Sequence, residues 1–234
     1  VEFGSDDKIG ACQVCPSYTS NPERRQVNVV RWAREGYFTN TQNKDVLLEM
    51  EVKNCEDQSP RNLATLLLKY QPKNNGWKRI EYYRQGSFYN AQMIKSQQTG
   101  LEVLLVRSGW VAYGFVVDNL IIADVESDDI YTRLLFRAAS NRAAADCGRS
   151  LYDVNIRNYY ISDVNRDGYD DVVIDMSMIA ETQRQGGFSD DCARETNENN
   201  QIQAVLINTK QGFKPDAKTS ELIQKLKQVY DGEW

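Results

Sequence analysis

The sequence contains no histidine. That absence removes Ser-His-Asp triads, Cys-His pairs and zinc sites built on imidazole. There is no Asn-x-Ser/Thr sequon, so nothing marks N-glycosylation. No apolar run approaches the ~20 residues that cross a bilayer. No secretory signal is visible either, which fits a processed chain or a cytosolic one. Basic residues are in deficit. The 28 Lys and Arg stand against 33 Asp and Glu, a net charge of −5. A broad nucleic-acid-binding face is therefore not expected.

What is present describes a globular chain. Its 234 residues suit one large domain or two small ones, with 41% apolar and 26% charged residues. The leading "VEFGS" resembles a tag remnant and stays outside the fold argument. Residues 1–20 read as a cysteine-bearing extension, 21–218 as a β domain, and 219–234 as a helix packed on it.

Five cysteines, Cys12, Cys15, Cys55, Cys147 and Cys192, sit in polar, loop-like surroundings. Scattered loop cysteines fit an oxidising compartment with one or two disulfides, and the odd count leaves one thiol over. All five are disulfide candidates, Cys12 or Cys15 with Cys55 and Cys147 with Cys192 among the pairings. The expected location is extracytoplasmic: secreted, periplasmic or at the cell surface. Cys12-Gln13-Val14-Cys15 lacks the strand-to-helix setting of a redox CxxC.

Three segments share one pattern. "DVLLEMEV" from Asp45, "EVLLV" from Glu102 and "DVVIDMSM" from Asp171 each alternate apolar residues behind an opening acid. In the third, Val172, Ile174, Met176 and Met178 should share one face, and Val173, Asp175 and Ser177 the other. Before each copy comes a bulky apolar residue, a spacer and Asn or Asp: Phe38-Thr39-Asn40, Phe88-Tyr89-Asn90 and Ile161-Ser162-Asp163. The interval from that Asn or Asp to the opening acid varies. Each unit reads as a hairpin. Second hairpins follow the first and third copies, turning at Asn74-Asn75-Gly76-Trp77 and Gln211-Gly212-Phe213. Two consecutive hairpins make a four-stranded antiparallel sheet, the unit of a β-propeller blade. The expected fold is mainly β, with about three blade-like units and one or two accessory helices.

The middle unit continues as "VAYGFVVDNLIIADV", one or two further strands. Helical spacing of Ile130, Leu134, Leu135 and Ala138 then predicts a helix, capped by Asp128 or Asp129 and stopped at Gly148. A C-terminal helix is predicted from the stripe Leu222, Ile223, Leu226, Val229 and Tyr230, capped by Thr219 or Ser220. "NPERRQVNVVRWAREG" carries both helix and strand signals. "AETQRQGGFSDDCARETNENNQ" is polar and aperiodic and reads as a surface excursion.

The densest chemistry is in "ISDVNRDGYDDVVIDM". Asp163, Asp167, Asp170 and Asp171 repel one another unless something positive balances them. Asp163, Asn165 and Asp167 place oxygens at every second position, Gly168 permits a sharp turn, and the Tyr169 carbonyl and Asp171 can complete a shell. Hard oxygens on a loop suit Ca²⁺ better than Mg²⁺. An EF-hand is excluded, because Ile174 stands where its bidentate Glu belongs and a strand follows instead of a helix. Asp124 to Asp129 shows weaker acidic spacing and lacks the Gly. It reads as a charged helix start.

D-x-N-x-D-G-x-x-D between two short strands resembles the calcium-binding hairpin of FG-GAP (VCBS-type) repeats, the blades of integrin-alpha-like β-propellers. The resemblance implies Asp163, Asn165, Asp167 and Asp171 as side-chain ligands and Tyr169 as a carbonyl ligand. The Asn40 and Asn90 hairpins lack the acidic ladder and should bind no ion. Such propellers generally need about seven blades. Three cannot close a ring, which leaves a fragment, an assembly of copies, or another β arrangement.

The function expected from this set is non-catalytic: an extracytoplasmic calcium-binding recognition or scaffold protein. Its partner would be a protein or cell-surface ligand. Two alternatives stay open, a carboxylate-based hydrolase and an accessory subunit completing a larger propeller. Trp32, Trp77, Trp110 and the tyrosines are either packing or a sugar- or peptide-binding face.

Overall fold

The computed structural model describes residues 9–10, 27–53, 63–71, 76–83, 91–126, 129–141, 151–183, 194–196 and 200–229. All five cysteines, the Phe88–Asn90 segment and most of the polar excursion after Ala180 lie outside these residues.

The chain is built from strands and ends in one helix. The first set is β1 (Ile9–Gly10), β2 (Val27–Gly36), β3 (Asp45–Lys53), β4 (Leu63–Gln71) and β5 (Gly76–Tyr83). These form a sheet in chain order, antiparallel throughout. Next come β6 (Gln92–Lys95), β7 (Glu102–Ala112), β8 (Phe115–Glu126) and β9 (Asp129–Ser140). The last set is β10 (Leu151–Ser162), β11 (Asp171–Gln183), β12 (Arg194–Thr196), β13 (Asn200–Thr209) and β14 (Gly212–Pro215), before α1 (Ala217–Val229). The second sheet runs β14-β13-β11-β10-β9-β8-β7-β6, with β12 also on β11. β9 and β10 meet at the single pair Ser140–Asp153.

Runs of four neighbouring strands thus recur: β2–β5, β6–β9, and β10, β11, β13, β14. The expected antiparallel hairpins are present. Both sheets are open in strand order among the described residues.

The first and third runs correspond closely. Gly36 faces Asp45 and Ser162 faces Asp171, so the connections 37–44 and 163–170 are equal in length. This corrects the sequence alignment. Tyr37, not Asn40, stands where Asp163 stands, and the spacing does not vary between these copies. Each first strand also carries a bulge at an arginine, Arg31 in β2 and Arg157 in β10. A bulge inserts one residue and re-aims the strand locally.

The described residues fall into two compact units. One holds β1–β5 with Leu101–Leu104 and 123–132. The other holds Ile94–Gly100, Leu105–Ile122 and the chain from Arg133 on. In the first, Trp32, Phe38, Leu47, Leu48 and Leu67 are buried. In the second, Leu105, Leu120, Phe136, Ile156, Leu206 and Leu226 are buried. β11 departs from simple alternation: Val172, Val173, Ile174, Met176 and Ser177 are all buried. Over residues 172–174 this central strand is covered on both faces and keeps a continuous apolar run, and from Asp175 on one face opens.

The helix predicted after Asp129 is strand β9 instead. Ile130, Phe136 and Ala138 share one face and are buried and Tyr131 on the other is exposed, while Leu134, on the face of the buried three, is exposed, so the alternation is incomplete. Its Ile, Tyr, Thr and Phe suit a pleated surface, and pairing with β8 outweighs the helical spacing. Asp124 is accordingly buried in a strand and not at a helix start. Of the ambiguous segment 21–36, the described part, Val27–Gly36, is strand β2, and 21–26 lie outside the described residues. Helix α1 forms as expected, but its cap is Asp216. The Asp216 Oδ1 accepts from Thr219 N–H at 2.7 Å. Thr219 is itself buried, its Oγ1 accepting from Val205 N–H at 2.7 Å. Leu222 and Leu226 carry the buried stripe.

The turn between β7 and β8 is Tyr113-Gly114, both at positive φ (50° and 81°). That is the backbone of a tight two-residue hairpin.

Candidate metal-binding turn

The candidate site is the connection from β10 to β11. Its conformation follows from its residue types. Asp and Asn fold back onto nearby backbone N–H groups, and Gly168 sits at φ 87° where a side chain is strained. Arg166 also adopts a left-handed φ of 60°.

Backbone dipoles answer the crowded carboxylates directly. Asp163 accepts from Asp167 N–H and Gly168 N–H, both at 3.0 Å. Asn165 Oδ1 accepts from the same Asp167 N–H at 3.1 Å. Asp167 Oδ1 accepts from Tyr169 N–H at 2.9 Å. Its Oδ2 accepts from the Asn165 amide at 3.0 Å and the Gln97 amide at 3.2 Å. These hydrogen bonds to charged acceptors offset part of the repulsion among the carboxylates.

Asp171 plays a different part. It is fully buried at the start of β11. Oδ2 accepts from Val164 N–H at 3.0 Å and Asn165 N–H at 3.4 Å. Oδ1 accepts from Asn208 N–H at 2.8 Å. Asn208 in β13 is also fully buried, and its whole amide is engaged. Nδ2 donates to Lys95 O at 2.7 Å and Asp170 O at 3.1 Å, and Oδ1 accepts from Gln97 N–H at 2.9 Å. Asn208 thus ties the acidic turn to β13 and to the segment after β6. Nothing in the sequence around "LINTK" signals this role.

The predicted ligands therefore divide. Asp163, Asn165 and Asp167 are brought together at the mouth of the turn. Asp171 lies beneath them as a floor residue with both oxygens committed to backbone. Tyr169 joins the set through its N–H on Asp167. Among the described residues, no group of three or more Asp, Glu, Cys or His is arranged to hold a metal ion. The donor chemistry fits a hard cation, since every side chain at the mouth offers oxygen, but the acids are not gathered into a finished shell.

The corresponding turn 37–44 is built on the same floor with a different mouth. Asp45 is fully buried, and its Oδ2 accepts from Thr39 N–H and Thr39 Oγ1–H, both at 2.8 Å. Asn40 Oδ1 accepts from Gln42 and Asn43 N–H at 2.9 and 2.8 Å. Tyr37, Thr39 and Thr41 occupy the places of Asp163, Asn165 and Asp167, so the acidic ladder is missing there. Tyr37 pairs instead with Glu102, whose carboxylate accepts Tyr37 N–H at 2.7 Å while its own N–H donates to Tyr37 O at 3.0 Å.

Away from the turn, Arg107 and Asp118 form a bidentate pair with Nε at 2.9 Å from both carboxylate oxygens. This bond raises the guanidinium's pKa further. Burial pushes the neighbouring Tyr159 phenol upward, with Arg107 acting in the opposite sense and Asp118 adding to the rise.

No family model, curated protein or solved structure matches this chain.

Proposed function

We propose that this chain is a non-catalytic, extracytoplasmic binding protein of FG-GAP-like repeats, whose 163–171 turn takes up one calcium ion. The observation that carries the proposal is the shared N–H of Asp167. Asp163 Oδ1 and Asn165 Oδ1 both accept from it, so two hard oxygens already converge. Each accepting oxygen keeps a second lone pair for a cation. Asp163, Asn165 and Asp167 would hold the ion, and its charge would neutralise the mouth. Asp171, held on both oxygens, leaves that mouth with fewer acidic ligands than a complete site. Affinity should then fall in the range of extracellular modules, about 10⁻⁴–10⁻³ M.

Recognition of a protein or cell-surface ligand is the role assigned to the chain. The extracytoplasmic location rests on the five cysteines scattered through polar stretches of the sequence. Thiol counting on the denatured, unreduced chain should find one free thiol if two disulfides form and three if one does. Five would place it in a reducing compartment.

Calcium titration followed by amide NMR tests the turn. The N–H signals of Asp167, Gly168 and Tyr169 should move saturably, because their acceptors are the ligands. Unmoved signals at 10 mM calcium would remove the site.

A further inference from the structure

We infer that the open face of β10, β11 and β13 carries a second binding site, one for a neutral oligosaccharide. A cavity of about 590 Å³ lies there, lined by Arg157, Asn158, Asp175, Ser177, Gln201 and Gln203 among others. That volume falls within the usual ~300–1,000 Å³ of small-molecule sites.

The register explains why these residues meet. Asp175 faces Asn158 on one side and Gln203 on the other. Ser177 faces Asn155 and Gln201. Arg157 is the bulged residue, and its Nε donates to the buried Ser177 Oγ at 2.8 Å. That bond fixes the guanidinium over the sheet while its terminal nitrogens take no partner among the described residues. Gln203 Nε2 donates to Asp175 Oδ1 at 3.0 Å and to Tyr160 Oη at 3.2 Å. Asp175 Oδ2 and the amides of Asn158 and Gln201 are without partners among the described residues.

The chemistry selects the ligand class. One guanidinium and one carboxylate cancel in charge, so neither an anion nor a cation is favoured. Side-chain amides donate and accept at once, which matches hydroxyl groups. Tyr160, 38% exposed beside Gln203, offers an aromatic face for the apolar side of a sugar ring. Inorganic phosphate would meet the Asp175 carboxylate and only one cation.

The site shares no residue with the acidic turn, so the two ideas fail separately. The test is side-chain amide NMR with cellotetraose, triacetylchitotriose, maltotetraose and mannotriose, each in calcium and in chelator. At least one sugar should shift the Asn158, Gln201 and Gln203 amides saturably, with equal affinity in both media. Gln203→Ala, which removes an exposed side chain, should weaken it at least tenfold without changing the melting temperature. Asp175→Asn should weaken it as well. Four silent sugars would overturn the proposal. So would saturable binding of inorganic phosphate at these amides, unchanged affinity in both variants, or loss of sugar binding in chelator, which would place the sugar on the ion.

Discussion

Asn208 N–H donates to Asp171 Oδ1 at 2.8 Å, between two residues that are both fully buried. The bond joins β13 to the first residue of β11, and the Asn208 side chain extends the link to Lys95 O, Gln97 N–H and Asp170 O. A buried polar network of this kind is worth keeping only when every member is satisfied.

Asn208→Ala should therefore destabilise the fold by about 2–4 kcal/mol, because it strands two carbonyls and one N–H. Asp171→Ala should cost a similar amount by leaving Val164 N–H and Asn208 N–H without an acceptor. The double variant should lose about the sum, because the Asn208 backbone N–H that Asp171 accepts survives in Asn208→Ala and each variant strands a separate set of groups. Urea unfolding of the three variants checks this. A double loss well short of the sum would show that the two residues are coupled through the turn backbone.

Two glycines should fail for different reasons. A Cβ on Gly109 would lie 2.4 Å from Val117 O, a backbone atom that cannot turn aside. Gly109→Ala should cost about 1–3 kcal/mol by overpacking. Gly168 has open space around it but a φ of 87°. Gly168→Ala should cost roughly 1 kcal/mol through backbone strain. Gly168→Asn should recover part of that, because Asn tolerates the left-handed region. Equal losses for Ala and Asn at 168 would contradict the strain account.

The raised pKa of Tyr159 has a definite sign. The folded state holds the phenol proton more tightly than the unfolded chain does. The resulting stability is complete below the ordinary tyrosine pKa of about 10 and is lost as pH rises through the higher folded value. Unfolding free energy measured from pH 9 to 11 should fall less steeply in Tyr159→Phe than in wild type. Parallel curves would assign the alkaline loss to other tyrosines.

The sequence made the strands legible where period-two alternation lay behind an opening acid, as at Asp45, Glu102 and Asp171. It misled at β9, because Ile130, Leu134 and Ala138 satisfy a helical stripe and an alternating strand alike. Pairing with β8 decides the matter, and pairing is not local. The acidic turn was visible as a cluster of oxygens. The burial of Asp171 was not, because its partner Asn208 is distant in sequence and has an unremarkable neighbourhood. The correspondence of Tyr37 with Asp163 was likewise hidden: only the register, Gly36 on Asp45 and Ser162 on Asp171, aligns the two turns.

The central claim is that a divalent ion occupies the mouth formed by Asp163, Asn165 and Asp167. Thermal unfolding of wild type and Asp167→Ala, each in 10 mM calcium and in chelator, tests it most directly. With a dissociation constant near 1 mM, calcium should stabilise wild type by about 1.4 kcal/mol, or roughly 3–5 °C. Asp167→Ala, which removes one ligand and leaves the Asp171 floor intact, should melt lower in both media with no calcium-dependent shift. Wild-type curves that coincide with and without calcium, or a variant that shifts as much as wild type, would contradict the claim.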